Sequence, residues 1–362
     1  MNKLFLFLIA ALLGVTAADA ATPLPKYLRD LDRPYNAGDW TLQCNSSRYC
    51  QIIGVAKIPK DFVGVRAVVL IGRGIAKDAK PRLRLVFIDA MGAMAVPQPE
   101  DGWRLYARGL PKMPPPLRLG LNAADPQGAY PVASEAAAKI ISALRRWPGS
   151  TINNRGKLAV RMPQGDLDRL FRKMDRLQHP PQPRLTAAEE AEWLKEYHYT
   201  ILRASPSDAP VPDSVLLSCD TRTYVNQPFG VHLGEKHQLW TAECPEGTKV
   251  FLKEGSKEPT KFDVRDAEGR IQPHGYAGIN TDSSMLEVQL PRKGNGGCGR
   301  HLKFGFTGQG FAMIEDRRYI RCRAVPHEFW PLVWHPTSWK YADPPPSNGG
   351  NDPPAIEGVK IP

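Results

Sequence analysis

The amino-acid sequence predicts a β-rich α+β protein with two antiparallel β lobes and helices inserted between them. Short runs rich in Val, Ile, Leu and aromatic residues recur along the chain, and Gly or Pro separates them, as in antiparallel sheets. Gly and Pro number 31 and 35, which favours many turns over a helical bundle. A chain of 362 residues is too long to form one small core, and its length suggests about two domains.

The first twenty residues have the features of a secretory signal peptide. Lys3 precedes an apolar run from Leu4 to Val15, and Ala18 and Ala20 supply small residues before a cleavage site. A transmembrane anchor is the alternative interpretation, but a membrane span needs about 20 apolar residues. We therefore expect cleavage after Ala20, export to the periplasm and no transmembrane anchor in the mature chain.

The predicted N-terminal domain, residues 21–165, is basic and built mainly of strands. A hairpin is expected around residues 45–48, and the further predicted strands are 62–71, 82–88, 103–108, 117–121 and 158–162. One helix interrupts them, because Ser134 is a capping residue and apolar residues recur at helical spacing as far as Trp147.

Residues 166–204 are predicted to be a helical segment. Asp166 caps one helix, and Thr186 with Glu189 forms a capping box for another that continues to Ile201. A Pro- and Ser-rich linker is predicted at 204–212. The C-terminal domain is predicted over 205–340, with strands from 215–218 onward, and 341–362 is predicted to be a flexible tail.

Six cysteines follow the signal peptide, and an even number in an exported chain indicates disulfides. Fifteen pairings are open in principle. We favour the three that close local loops: Cys44–Cys50, Cys219–Cys244 and Cys298–Cys322.

Two reactive interpretations of these cysteines compete with disulfides. Cys298, His301, Cys322 and His327 superficially resemble a zinc cluster, but their spacing fits no standard structural site. Residues 297–300 also resemble part of the cysteine loop of L,D-transpeptidases, but the expected Ser or Thr and His are missing before it. The predicted oxidising compartment favours disulfides over both interpretations.

Other catalytic or metal-binding patterns are weak. The chain contains no G-x-S-x-G, H-E-x-x-H, phosphate loop or CxxC motif. His232 and His237 are five residues apart and would point to opposite faces of a regular strand. We therefore predict no catalytic residue, no metal and no cofactor.

The excess of positive charge lies in the first half of the chain. Residues 21–200 contain 28 Lys and Arg against 17 Asp and Glu, whereas residues 201–362 contain 19 of each. Such a basic lobe should attract an acidic envelope component or an acidic protein. Nucleic acid is a poor candidate for the partner, because of the predicted compartment and because the sequence contains no nucleic-acid motif.

Cationic residues alternate with apolar ones in three predicted strands. Because side chains in a strand alternate between faces, each run places its cations on one face and its apolar residues on the other. If these strands share a sheet, they form one cationic patch around a tyrosine. The candidate binding residues are Arg82, Arg84, Arg104, Tyr106, Arg108 and Arg118.

The order of several short features resembles a family of uncharacterised proteobacterial periplasmic proteins, the domain of unknown function (DUF) 1176 family. The matching features are Asp39-Trp40, Cys44, Cys50, Met174-Asp175, Gln178, Ser218-Cys219-Asp220, Leu239-Trp240, Cys244, Gly247, Gly297-Cys298-Gly299, Cys322-Arg323, Trp330-Pro331 and Trp334. The residues after Cys244 depart from the family pattern. The first lobe also faintly resembles invasion-associated locus B proteins. These resemblances imply export and supply no activity.

Three hypotheses about function follow. The first is a non-enzymatic periplasmic envelope binding or interaction protein, which the lack of any catalytic motif favours. The second is an inhibitor or immunity protein against a cell-wall-attacking enzyme. Residues 244–251 have the order of Cys, Gly and apolar strand that is typical of small lysozyme-inhibitor sheets. A basic inhibitor would need an acidic target. The third is an envelope hydrolase with an unfamiliar site.

Overall fold

The computed structural model confirms a β-rich α+β fold with two antiparallel lobes and few helices. It describes residues 31, 33–45, 47–56, 64–76, 78–89, 94, 102–107, 112, 114–147, 149–154, 159–179, 197–219, 226–245, 247–263, 275–291 and 298–342. The predicted signal peptide and nearly all of the predicted tail lie outside these residues.

The N-terminal lobe contains a six-stranded antiparallel sheet in the order β1-β2-β3-β4-β5-β8. Its strands are β1 (Tyr35–Ala37), β2 (Trp40–Cys44), β3 (Cys50–Val55), β4 (Arg66–Arg73), β5 (Arg82–Ile88) and β8 (Tyr130–Pro131). The β2–β3 pair is the predicted hairpin, and the Asn45 side chain accepts a hydrogen bond from the Tyr49 amide across its turn.

A second, four-stranded sheet of this lobe has the order β10-β9-β6-β7. Its strands are β6 (Trp103–Tyr106), β7 (Leu117–Arg118), β9 (Thr151–Asn154) and β10 (Ala159–Arg161). The helices α1 (Ser134–Arg146) and α2 (Leu167–Gln178) share one core with both sheets. Asp166 caps α2 by accepting from the Arg169 amide at 2.8 Å, whereas Ser134 is the first residue of α1 and its side chain makes no cap.

The C-terminal lobe packs two five-stranded sheets face to face around one apolar core. The first sheet contains β12 (Ala204–Pro206), β13 (Asn226–Leu233), β14 (His237–Cys244), β15 (Gly247–Glu254) and β16 (Thr260–Lys261). The second contains β17 (Tyr276–Asn280), β18 (Met285–Pro291), β19 (Gly299–Phe306), β20 (Phe311–Tyr319) and β21 (Leu332–Trp334). A parallel pair, β11 (His198–Ile201) and β22 (Ser338–Tyr341), packs against the second sheet.

Three local predictions around residue 200 are wrong. Residues 198–201 form strand β11, so the end of the predicted third helix is extended, and the rest of that prediction falls outside the described residues. The predicted linker begins with strand β12, which pairs with β13. A strand was predicted at 215–218, but its first two residues belong to a short helix, α3 (Asp213–Leu216). In each case tertiary pairing and packing override a weak local preference.

The two lobes share a buried apolar cluster. One face of the six-stranded sheet contributes residues such as Ile53 and Val86, and the C-terminal lobe contributes Tyr319, Phe329 and Trp330. Polar contacts surround this cluster: Arg323 donates to the Asp39 carboxylate at 2.9 Å, and the buried Arg66 donates to the Arg323 carbonyl at 3.0 Å. The proposed boundary at residue 205 stays a prediction, but the cluster couples the sheets on its two sides.

All six cysteines form disulfides in the predicted pairs, Cys44–Cys50, Cys219–Cys244 and Cys298–Cys322. The zinc and nucleophile interpretations of Cys298 are therefore excluded. Three disulfides are typical of an oxidising, extracytoplasmic compartment. The Cys298–Cys322 bond lies in the cluster that joins the lobes, where Cys298 is fully buried.

Removing Cys298–Cys322 by a double change to alanine should lower the free energy of unfolding by about 3 kcal/mol, since it frees a loop of 24 residues in the unfolded chain. Removing Cys44–Cys50, which spans 6 residues, should cost less, about 2 kcal/mol. Denaturant unfolding of both variants without reductant measures the two values. A larger loss for Cys44–Cys50 than for Cys298–Cys322 would contradict the loop-length argument.

Candidate functional site

The outer face of the four-stranded sheet carries three exposed arginines. Arg104 and Arg118 are direct partners across β6 and β7. Arg161 lies on the same face, because it pairs with Thr151, which in turn pairs with Tyr106. The opposite face, with Leu105 and its neighbours, is buried in the core. We call the surface formed by Arg104, Tyr106, Arg118 and Arg161 the cationic face.

The arginines of the cationic face carry a charge that no carboxylate among the described residues compensates. Within the described ranges, Arg104, Arg118 and Arg161 have no carboxylate within ion-pair distance. Arg104 and Arg118 stand opposite each other, and like charges at directly opposed positions destabilise a strand pair. Strand stability therefore does not explain this pair, whereas an anion placed between two guanidinium groups would.

Arg82 and Arg84 have a different environment. They lie on the face of β5 that carries Val86 and the inter-lobe cluster farther along the strand. Arg84 pairs with Asp125 at 3.1 Å, and Asp125 also accepts from the amide of Ala129 at 2.9 Å. Arg84 therefore fastens the loop before β8, and its charge is neutralised.

Only two of the three strands that carry the predicted patch share a sheet: β6 pairs with β7, whereas β5 belongs to the six-stranded sheet, so the prediction of one continuous patch is wrong. The Phe87 and Trp103 rings approach within 4.9 Å, because the apolar faces of β5 and β6 meet in one core. The arginines on their opposite faces therefore point away from each other. Arg108 lies outside the described residues. Whether the remaining candidates bind a ligand stays a prediction.

A second site, which the sequence did not predict, lies on the outer face of the second C-terminal sheet. Glu287 of β18, His301 of β19 and His327, which begins a 3-10 turn at His327–Phe329, each offer one ligand atom, and these atoms lie within 4.8 Å of one another. Glu287 Oε2 and His301 Nε2 are 3.2 Å apart, and the two imidazole rings approach within 4.1 Å. We call these three residues the His–Glu cluster.

Charged neighbours set the protonation of the cluster. Burial alone would raise the pKa of Glu287, but the hydrogen bond from His301 and the charge of Lys303 outweigh it and lower the pKa to about 2. Burial lowers the pKa of His327 from its ordinary value, and the neighbouring His301 lowers it further. A carboxylate and a neutral imidazole with a free lone pair therefore stand together at neutral pH.

Hydrogen bonds from Arg317 and Trp330 hold the turn that carries His327 in place. Arg317 of β20 donates to the Glu328 and Trp330 carbonyls, both at 3.2 Å, and its guanidinium also binds Glu315 at 2.7 Å. Trp330 donates from its indole nitrogen to the Val325 carbonyl at 2.8 Å. The turn is thus fixed on both sides of His327.

Comparisons with known proteins add no assignment: no family model, no curated protein and no solved structure matches the chain. The resemblance to the DUF 1176 family therefore stays a prediction. Among the helices in the described part of the chain, none is long and apolar enough to cross a membrane.

Proposed function

We propose that this protein is an exported periplasmic binding protein, without catalytic activity, that holds an anionic component of the cell envelope on its cationic face. The observation that carries the proposal is the set of three exposed arginines on one side of the four-stranded sheet, none of which pairs with a carboxylate among the described residues. Cleavage of the signal peptide after Ala20 would release the mature chain into the compartment that its disulfides favour.

The geometry of the cationic face suits phosphate or carboxylate groups. Each guanidinium presents a planar fork that binds such groups through two parallel hydrogen bonds. Neighbouring strands are about 4.8 Å apart, so Arg118 and Arg104 can hold one group, while Arg161, two strands from Tyr106, can hold another about 10 Å away. An anionic glycan or a layer of lipid headgroups offers repeated charges over such distances.

We expect a triple change, Arg104→Ser, Arg118→Ser and Arg161→Ser, to weaken binding about 100-fold, because each basic residue near an anionic surface contributes about 1 kcal/mol. Binding is measured by sedimentation with phosphatidylglycerol vesicles and by retention on a carboxylated polysaccharide, at low and at physiological salt. The wild-type protein should lose affinity as salt rises, and the variant should lose most of this salt dependence.

The matched control removes the same number of charges elsewhere, through Arg146→Ser, Arg169→Ser and Arg172→Ser. These arginines are exposed and lie off the cationic face. The control should keep nearly wild-type binding if the ligand sits on the cationic face. Equal losses in both triple variants, or no binding of the wild-type protein to either probe at low salt, would refute the proposal.

A further inference from the structure

We infer that the His–Glu cluster of Glu287, His301 and His327 binds one borderline divalent transition-metal ion, with Zn²⁺ as the best-matched ion. Two imidazoles and one carboxylate are a donor set that Zn²⁺ accepts with three protein ligands and one open position. This inference concerns the C-terminal lobe and is independent of the cationic face.

The ligand atoms of the His–Glu cluster are nearly as close to one another as in a zinc site, so the side chains need little rearrangement to bind the ion. Zn²⁺ holds nitrogen and oxygen ligands at about 2.0–2.2 Å in a tetrahedron, which separates neighbouring ligand atoms by about 3.3 Å. Glu287 Oε2 and His301 Nε2 already stand at 3.2 Å, and no pair of ligand atoms in the cluster is more than 4.8 Å apart. Each remaining separation therefore has to close by no more than about 1.5 Å.

Lys303 helps to select the kind of ion. Its ammonium group lies 3.3 Å from Glu287 Oε1, so this carboxylate oxygen is engaged and only Oε2 is left to bind a metal. A single monodentate carboxylate beside a positive charge is a poor site for Ca²⁺ or Mg²⁺, which need several oxygen ligands. Two imidazoles instead suit Zn²⁺, Cu²⁺ or Ni²⁺.

The three side chains of the His–Glu cluster differ in their exposure to solvent. His301 is only 3% exposed, whereas the side chains of Glu287 and His327 are 21% and 33% exposed. An ion can therefore reach the cluster from solvent through these two side chains. Nε2 of His301 donates to Glu287, so metal binding at Nε2 leaves the proton of the neutral ring on the buried Nδ1, which has no hydrogen-bond partner among the described residues.

A disulfide brings the two histidines together. His301 follows Cys298 by three residues, and His327 follows Cys322 by five. The Cys298–Cys322 bond therefore fixes the starts of both segments that carry the imidazoles. Reduction of this bond should weaken metal binding even though neither sulfur is a ligand.

The test uses the mature protein after dialysis against a chelator, titrated with Zn²⁺ by calorimetry and with Co²⁺ by visible absorption. We expect one ion per chain and the intense Co²⁺ spectrum of a four-coordinate site. Loss of a partner that merely orients a ligand typically costs 10–100-fold in metal affinity, so His327→Asn and Glu287→Gln should each cost at least about 100-fold. Both residues are partly exposed, so these variants should fold.

His232→Asn, a change in the other C-terminal sheet, is the matched control and should bind Zn²⁺ like the wild-type protein. The double change Cys298→Ala and Cys322→Ala should weaken Zn²⁺ binding while leaving the thermal unfolding of the folded variant cooperative. Absence of Zn²⁺ and Co²⁺ binding by the wild-type protein would overturn the inference. So would binding that His327→Asn and Glu287→Gln leave unchanged.

Discussion

Replacing Trp330 with alanine should lower the free energy of unfolding by about 3–5 kcal/mol. The side chain is fully buried, and its indole nitrogen donates to the Val325 carbonyl. It belongs to the cluster in which the six-stranded sheet and the C-terminal lobe meet. A cavity at this place removes contacts that both lobes share, so the variant should unfold in two steps where the wild-type protein unfolds in one.

Trp240→Ala is the matched control, because Trp240 is also buried, and the described residues of its apolar cluster all lie in the C-terminal lobe. It should lose a similar amount of stability without separating the lobes. Hydrogen exchange at the amides of β3 and β14, followed through urea unfolding, reports the two lobes separately. If both variants unfold in one step, or if Trp330→Ala costs less than about 1 kcal/mol, the shared cluster does not couple the lobes.

The packing of distant segments, as in the shared cluster, could not be predicted from the sequence. Alternating apolar residues predicted most strands, and the disulfide pairs followed from the closure of local loops. Period two cannot tell which strands join the same sheet, because sheet membership depends on packing between distant segments. Thus β5 and β6 have similar Arg-apolar patterns, yet their apolar faces meet across one core, and Arg82 and Arg104 lie on opposite surfaces.

The His–Glu cluster was missed for a related reason. His301 and His327 attracted attention only through their neighbouring cysteines, which form a disulfide and leave no thiolate for a metal. The third group, Glu287, lies on another strand, and only the register of β18 against β19 brings it near His301. The predicted pairing of Cys298 with Cys322 could have indicated that the two histidines are close, because the disulfide places the segments that follow each cysteine side by side.

The other large effect that we expect concerns Asp316, a carboxylate of strand β20 with no solvent exposure. Arg300 and Arg318 reach it with guanidinium nitrogens at 2.6 and 2.9 Å. These two arginines are also direct partners across β19 and β20, so Asp316 offsets their mutual repulsion. Asp316→Asn should cost about 3–5 kcal/mol, because it removes the buried negative charge that both guanidinium groups contact.

Urea unfolding monitored by tryptophan fluorescence measures this loss, and Asp282→Asn, in an exposed turn, is the control that should change stability by less than about 0.5 kcal/mol. A triple variant separates the two contributions to the effect: Arg300→Met, Asp316→Leu and Arg318→Met together remove all three charges. If unpaired charge causes the loss, this variant should be more stable than Asp316→Asn, since replacing a whole buried ion network by apolar residues is often neutral. A triple variant less stable than Asp316→Asn would mean that the hydrogen bonds of the network themselves stabilise the sheet.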